Sequence, residues 1–167
     1  HLKLPVKPIQ TRRHQASVSR ARIDMRRTMQ NSLRNSELIP LQFKRQITRP
    51  PAIIVLCDIS GSMAQYSRMF LHFMHAMTNN GDRVHSFLFG TRLTNISRYL
   101  RNKDVDLALE ETAKAVEDWS GGTRIGFCLK QFNQHWSRRM LGQGAVVILL
   151  TDGLDRGEGP ELGKQME

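Results

Sequence analysis

The longest wholly apolar runs are six residues each: AIIVLC at Ala52–Cys57 and AVVILL at Ala145–Leu150. Neither is long enough to cross a bilayer. A strand with one wet face alternates apolar with polar residues, so an unbroken run of this length predicts a strand covered on both faces. The segments between the runs agree. Tyr66, Met69, Phe70, Phe73, Met74 and Met77 share one face of a helix that Asn79-Asn80-Gly81 stops. RVHSFLFG at 83–90 reads as a second strand and Leu93–Leu100 as a third. Asp104 can cap a helix striped by Val105, Leu109, Ala113 and Val116, and Ile125, Leu129, Phe132 and Trp136 stripe another. Apolar strands alternating with amphipathic helices predict an α/β fold with a mostly parallel central sheet flanked by helices.

Charge divides the chain in a second way. The 167 residues carry 25 Lys+Arg and 15 Asp+Glu, a formal charge of +10. Residues 1–50 hold 12 basic and 2 acidic side chains, whereas residues 51–167 hold 13 of each. The whole positive excess therefore belongs to a basic N-terminal arm, 1–50, ahead of a neutral body, 51–167. Within the arm, residues 1–15 show no hydrophobic period and read as linker. Ile23–Leu33 reads as a short helix with Met25, Met29 and Leu33 at four-residue steps. Ile39–Thr48 mixes β-formers with Lys44 and Arg45 and reads as an extra edge strand, where charge is tolerated. Pro50-Pro51 punctuates the boundary. Cys57 and Cys128 form neither a disulfide framework nor a CxxC pattern. The first residue is His1 rather than Met, so an original N-terminus, with any signal peptide on it, is open to having been lost.

In an open α/β sheet, ligands bind beyond the carboxyl ends of the strands. Two loops leave such ends with unusual content: Cys57-Asp58-Ile59-Ser60-Gly61-Ser62 and Leu150-Thr151-Asp152-Gly153. A third, Ser120-Gly121-Gly122-Thr123-Arg124, precedes a helix. Together they supply two carboxylates and three hydroxyls in glycine-eased turns. An oxygen-only set of this size suits a hard divalent cation, Mg²⁺ or Mn²⁺. Asp58, Ser60 and Ser62 alternate, so a bend after the strand can turn all three toward one point. With hydroxyls as direct ligands and the aspartates acting through water, such a metal stays electrophilic. It then favours an external carboxylate on a partner protein.

D-x-S-x-S, a distant Thr and a later Asp after a hydrophobic strand resemble the metal-ion-dependent adhesion site (MIDAS) of von Willebrand factor A (VWA) domains, which are Rossmann-like. The residues are Asp58, Ser60, Ser62, Thr123 and Asp152. DMRRTMQNSL, VLCDISGSM, EDWSGGTRIGFCL and LLTDGLDRG resemble, more narrowly, the CoxE-like VWA proteins over roughly residues 23–160. The resemblance implies that the two serines and the threonine contact the metal, with the aspartates acting mostly through waters. It also implies a cytoplasmic, non-enzymatic role beside a MoxR-type AAA+ ATPase in maturing a metalloenzyme client, such as molybdenum carbon monoxide dehydrogenase. A VWA domain continues past the TDG loop through a helix to a further strand, so this chain reads as truncated at its C-terminus.

Other readings stay beside this one. The arm's basic residues can neutralise nucleic-acid phosphates, although Phe43 is its only aromatic residue for stacking on bases. A metal-dependent hydrolase is a third reading, but no general base is evident, and neither G-x-S-x-G nor a P-loop is present. His72 and His75 lack a third ligand and read as ordinary imidazoles. Met63, Met69, Met74 and Met77 read as core filler. Asp155 and Glu158 read as solvated loop charge rather than as part of a metal rim.

Overall fold

A computed structural model describes residues 6–19, 21–33, 40–59, 61–80, 83–116, 122–142, 144–153, 163 and 165–166. Contacts along the chain separate Val6–Pro50 from a larger unit that begins at Pro51.

The smaller unit contains β1 (Ile9–Ser17), β2 (Arg22–Ile23), the helix α1 (Met25–Ser32) and β3 (Phe43–Arg49). Its sheet runs in the order β1-β3-β2, with β3 antiparallel to both neighbours. This differs from the sequence reading in two places. Residues 9–15, read as linker, belong to the longest strand of this unit. Backbone pairing to β3 makes that strand, and its mostly exposed side chains need no apolar period. Phe43–Arg49 is the middle strand, not an edge: its charges stand on a solvated face, so they did not mark a rim. Asp24 caps α1 by accepting from the Arg27 N–H at 3.3 Å, and it pairs with Lys44 at 3.6 Å.

The larger unit runs β4 (Ile53–Asp58), a 3₁₀ turn at Gly61–Met63, α2 (Ala64–Asn80), β5 (Val84–Phe89), β6 (Leu93–Asn95), a 3₁₀ turn at Tyr99–Arg101, α3 (Val105–Ala115), α4 (Ile125–His135), α5 (Ser137–Met140) and β7 (Val146–Leu150). The sheet order is β6-β5-β4-β7. β4 pairs in parallel with β5 on one side and β7 on the other, while the short β6 returns antiparallel along β5. The first apolar run is thus the strand flanked on both edges, and helices cover both its faces. Val55 and Cys57 pack with Leu71, Met74 and Met77 of α2 and with Ile96, Leu100 and Val116. Ile54 and Leu56 pack with Phe87 and Phe89 of β5, Ile125, Cys128 and Phe132 of α4, and Met140. Phe87 meets Phe132 and Trp136 edge-on, each at 5.5 Å between ring centroids.

Local details refine the expectations. Leu93–Leu100 is a strand only as far as Asn95; Ile96 and Leu100 then bury their side chains through a turn. Tyr66 and Met69 of α2 are exposed, and Met74 and Met77 are core. On α3 the inward row is Ala108, Thr112 and Val116, with Ala113 outside. His75 is buried with Nε2 2.8 Å from the Asn102 carbonyl, a structural hydrogen bond, and His72 is exposed.

Candidate metal centre

Because β4, β5 and β7 are parallel, their carboxyl ends share one edge of the sheet. From the central β4, β5 lies to one side and β7 to the other, so the strand order switches between β4 and β7. Crevices at such a point are where α/β sheets bind ligands. The residues that close β4 and follow β7 there are Asp58 and Thr151.

Asp58 reaches this crevice by parity. Alternate side chains on a strand point to opposite faces, and Asp58 follows Ile54 and Leu56 on the face covered by α4. Thr123 stands just before α4. Its position is fixed because the Arg124 N–H donates to the Gly90 carbonyl, at the end of β5, at 3.1 Å. The Cys128 thiol also donates to that carbonyl at 3.6 Å. The Ile59 N–H donates to the Phe89 carbonyl at 3.0 Å, which holds the chain beyond Asp58 against β5.

The outcome is a carboxylate with no solvent exposure, gripped among the described residues by the hydroxyls of Thr123 and Thr151. Thr123 Oγ1 donates to Asp58 Oδ1 at 3.1 Å and also lies 3.4 Å from Oδ2. Thr151 Oγ1 donates to Oδ2 at 3.1 Å and accepts the Gly153 N–H at 3.1 Å. Gly153 has φ +79°, the left-handed conformation that suits glycine, so the turn after β7 closes back on Thr151. A hydroxyl that donates its proton to a carboxylate keeps its lone pairs for a cation.

Of the five residues expected at a metal, Asp58 and Thr123 are in direct contact. Asp152 sits on the exposed turn beside Thr151. Ser60 lies outside the described residues, as does the side chain of Ser62, whose backbone forms part of the Gly61–Met63 turn. Asp155 and Glu158 are also outside them. Thr151 was not among the expected residues, yet a signal for it exists. Each six-residue apolar run is followed by one polar residue, Asp58 and Thr151. Cys57 pairs with Leu150, so aligning the runs end to end brings those two residues abreast.

The donors at this edge are oxygens. Among the described residues no three His, Cys, Asp or Glu side chains gather into a metal-binding group. Burial first, and the Asp58 charge second, push the Cys57 thiol up to about 12, and its side chain packs on the other face of β4 against α2. A buried carboxylate, a neighbouring exposed one and the hydroxyls of Thr123 and Thr151 fit a hard cation such as Mg²⁺ or Mn²⁺ better than a thiolate- or imidazole-seeking one.

Two solved structures of proximal thread matrix protein 1 from the mussel byssus are similar to this chain, one in a second crystal form and one with a zinc-occupied MIDAS motif. Each aligns at 22% identity and a TM-score of 0.48, covering 70% of this chain and 35% of the mussel chain. This chain thus spans about a third of their length. No curated protein matches the sequence. Residues 3–167 match the family described as VWA domain containing CoxE-like protein. The α/β architecture, with its mostly parallel sheet between helices, is the one expected of that family, and the chain belongs to the CoxE-like VWA proteins.

Proposed function

We propose that the larger unit, residues 51–167, binds one divalent cation, Mg²⁺ or Mn²⁺, through Asp58, Ser60, Ser62, Thr123 and Asp152, and uses it to dock an acidic side chain of a partner protein. VWA domains are typically interaction modules without catalysis of their own, and we read this one in the same way. The observation that supports the reading is Asp58, a fully buried carboxylate at the switch point of the sheet, held by the hydroxyls of Thr123 and Thr151.

A bound cation supplies an electrophilic centre that attracts carboxylate oxygen. The protein's own residues do the rest. Thr151 and Thr123 fix the Asp58 rotamer, so its charge is in place before any cation arrives. The adjoining Cys57 points to the opposite face of β4, where it packs against α2, so it takes no part in the donor set. Asp152, on the exposed turn, adds the second negative charge, which makes the pair neutral against a dication.

The partner that the family suggests is a MoxR-type AAA+ ATPase, acting with this protein in the cytoplasm on a metalloenzyme client during its maturation. Among the described residues no helix is long and apolar enough to cross a membrane. Residues 1–50 form a separate basic arm in this reading. The test is capture of a purified MoxR-type ATPase by the immobilised chain in Mg²⁺ and in EDTA. Capture that requires Mg²⁺ and is lost in Asp58→Ala supports the proposal. Capture that persists in EDTA contradicts it.

A further inference from the structure

α1 is amphipathic in the wrong direction for a helix that packs on its own sheet. Its buried residue is Thr28, whose Oγ1 accepts the Gln42 N–H at 3.0 Å. Its apolar row faces solvent: Met25 is 61% exposed, Met29 63% and Leu33, just past the last turn, 87%. Residues four apart stand over one another on a helix, so these three make a continuous stripe. Ile23, at the end of β2, is exposed as well.

At about 100° per residue Arg26 flanks the stripe, whereas Arg27 falls on the far side of the helix. Arg22, Arg26 and Arg27 are all exposed. Among the described residues no carboxylate lies within ion-pair distance of them, since Asp24 is engaged by Lys44 and by its capping role. Helix–groove recognition reads such a stripe as a row of apolar anchors, with the charged border selecting the partner's sign.

We infer that the exposed face of α1 is a docking surface for an acidic amphipathic helix of a partner protein. Met25, Met29 and Leu33 take its apolar side, and Arg26, in a segment with 12 basic and 2 acidic residues over 1–50, pairs with its carboxylates. Three other occupants fit less well. A second copy of this chain, stripe against stripe, would set arginine against arginine. A nucleic acid would use the guanidinium groups but has nothing to place on an apolar row, and Phe43 is only half-exposed for stacking. A membrane would gain little from one eight-residue helix without an aromatic anchor. The inference does not rest on the metal reading, and either can fail without the other.

The test is fluorescence anisotropy on the full chain at about 150 mM salt. The probe is a labelled synthetic peptide of about 18 residues, with leucines at one-face helical spacing and glutamates elsewhere. The comparison probes are the same composition scrambled, a lysine-for-glutamate version, a short DNA duplex, and vesicles of phosphatidylserine and phosphatidylcholine. The acidic amphipathic peptide is expected to bind at least about tenfold tighter than the scrambled and lysine versions. Met29→Glu, and separately Arg26→Glu, each weaken it about tenfold or more. Met29→Ser, which leaves an exposed position polar and uncharged, weakens it while circular dichroism stays unchanged. Equal binding of the ordered and scrambled peptides, or no binding of either, overturns the inference. So does tighter binding of duplex or vesicles that is insensitive to Met29→Glu.

Discussion

In the larger unit Ile54, Val55, Leu56 and Cys57 are sealed between helices, whereas in Val6–Pro50 the apolar row Met25, Met29, Leu33 stands in solvent. The larger unit's sequence has no net charge; the first 50 residues carry the entire excess. One unit spends its apolar residues on its own core, and the other leaves them on a charged surface. A hydrophobic period thus reports a face that wants covering. It does not say whether the cover comes from the same unit.

The sharpest way to break that comparison is to truncate one residue of each kind. Leu56→Ala removes a side chain that is 1% exposed at the centre of the sheet and should cost about 2–5 kcal/mol, read from urea unfolding. Met29→Ala should stay within about 0.5 kcal/mol of wild type. A cost at Met29 near that at Leu56 would mean the stripe is already buried in solution, and the contrast would be lost.

A smaller effect is expected at the crevice. Thr151→Val keeps the shape of the side chain and removes the hydroxyl from a buried carboxylate. Hydrogen bonds to charged groups contribute about 1.5–3 kcal/mol, so metal-free thermal unfolding should shift by that amount. A shift near zero would mean that Thr151 does not hold Asp58.

The smallest effect is confined to alkaline solution. The folded chain raises the Cys57 thiol from 9.0 to about 12, so the fold favours its protonated form. Stability from this group is therefore fully present below the unfolded value and lost as pH rises through the window up to about 12. Between pH 9 and 10 the wild type should lose about 1 kcal/mol more than Cys57→Ala. Parallel pH profiles for the two proteins would show that the thiol ionises as freely folded as unfolded.

Much of the larger unit was legible because its pattern and its burial have the same cause. AIIVLC became the strand covered on both faces, whereas the equally apolar AVVILL lies at the sheet edge with Val147 44% exposed, so an unbroken apolar run marks a strand without fixing how far it is covered. The stripe Ile125, Leu129, Phe132, Trp136 packs inward on α4. The smaller unit was less legible. IQTRRHQAS forms a strand through backbone pairing, which leaves no hydropathy signal, and charged Phe43–Arg49 sits mid-sheet because its faces are wet. At the crevice, Asp58 and Thr123 were read from their turns. Thr151 was missed because its role depends on register between two strands 93 residues apart in sequence, and no local motif encodes that.

Calorimetric titration of Mg²⁺ and Mn²⁺ into wild type, Asp58→Ala and Asp152→Ala shows whether Asp58 anchors a cation site. One bound cation per wild-type chain is expected. Asp58→Ala should weaken affinity by at least about tenfold, about 1.4 kcal/mol or more, and Asp152→Ala should weaken it less. Wild-type affinity retained in both variants would contradict that role for Asp58.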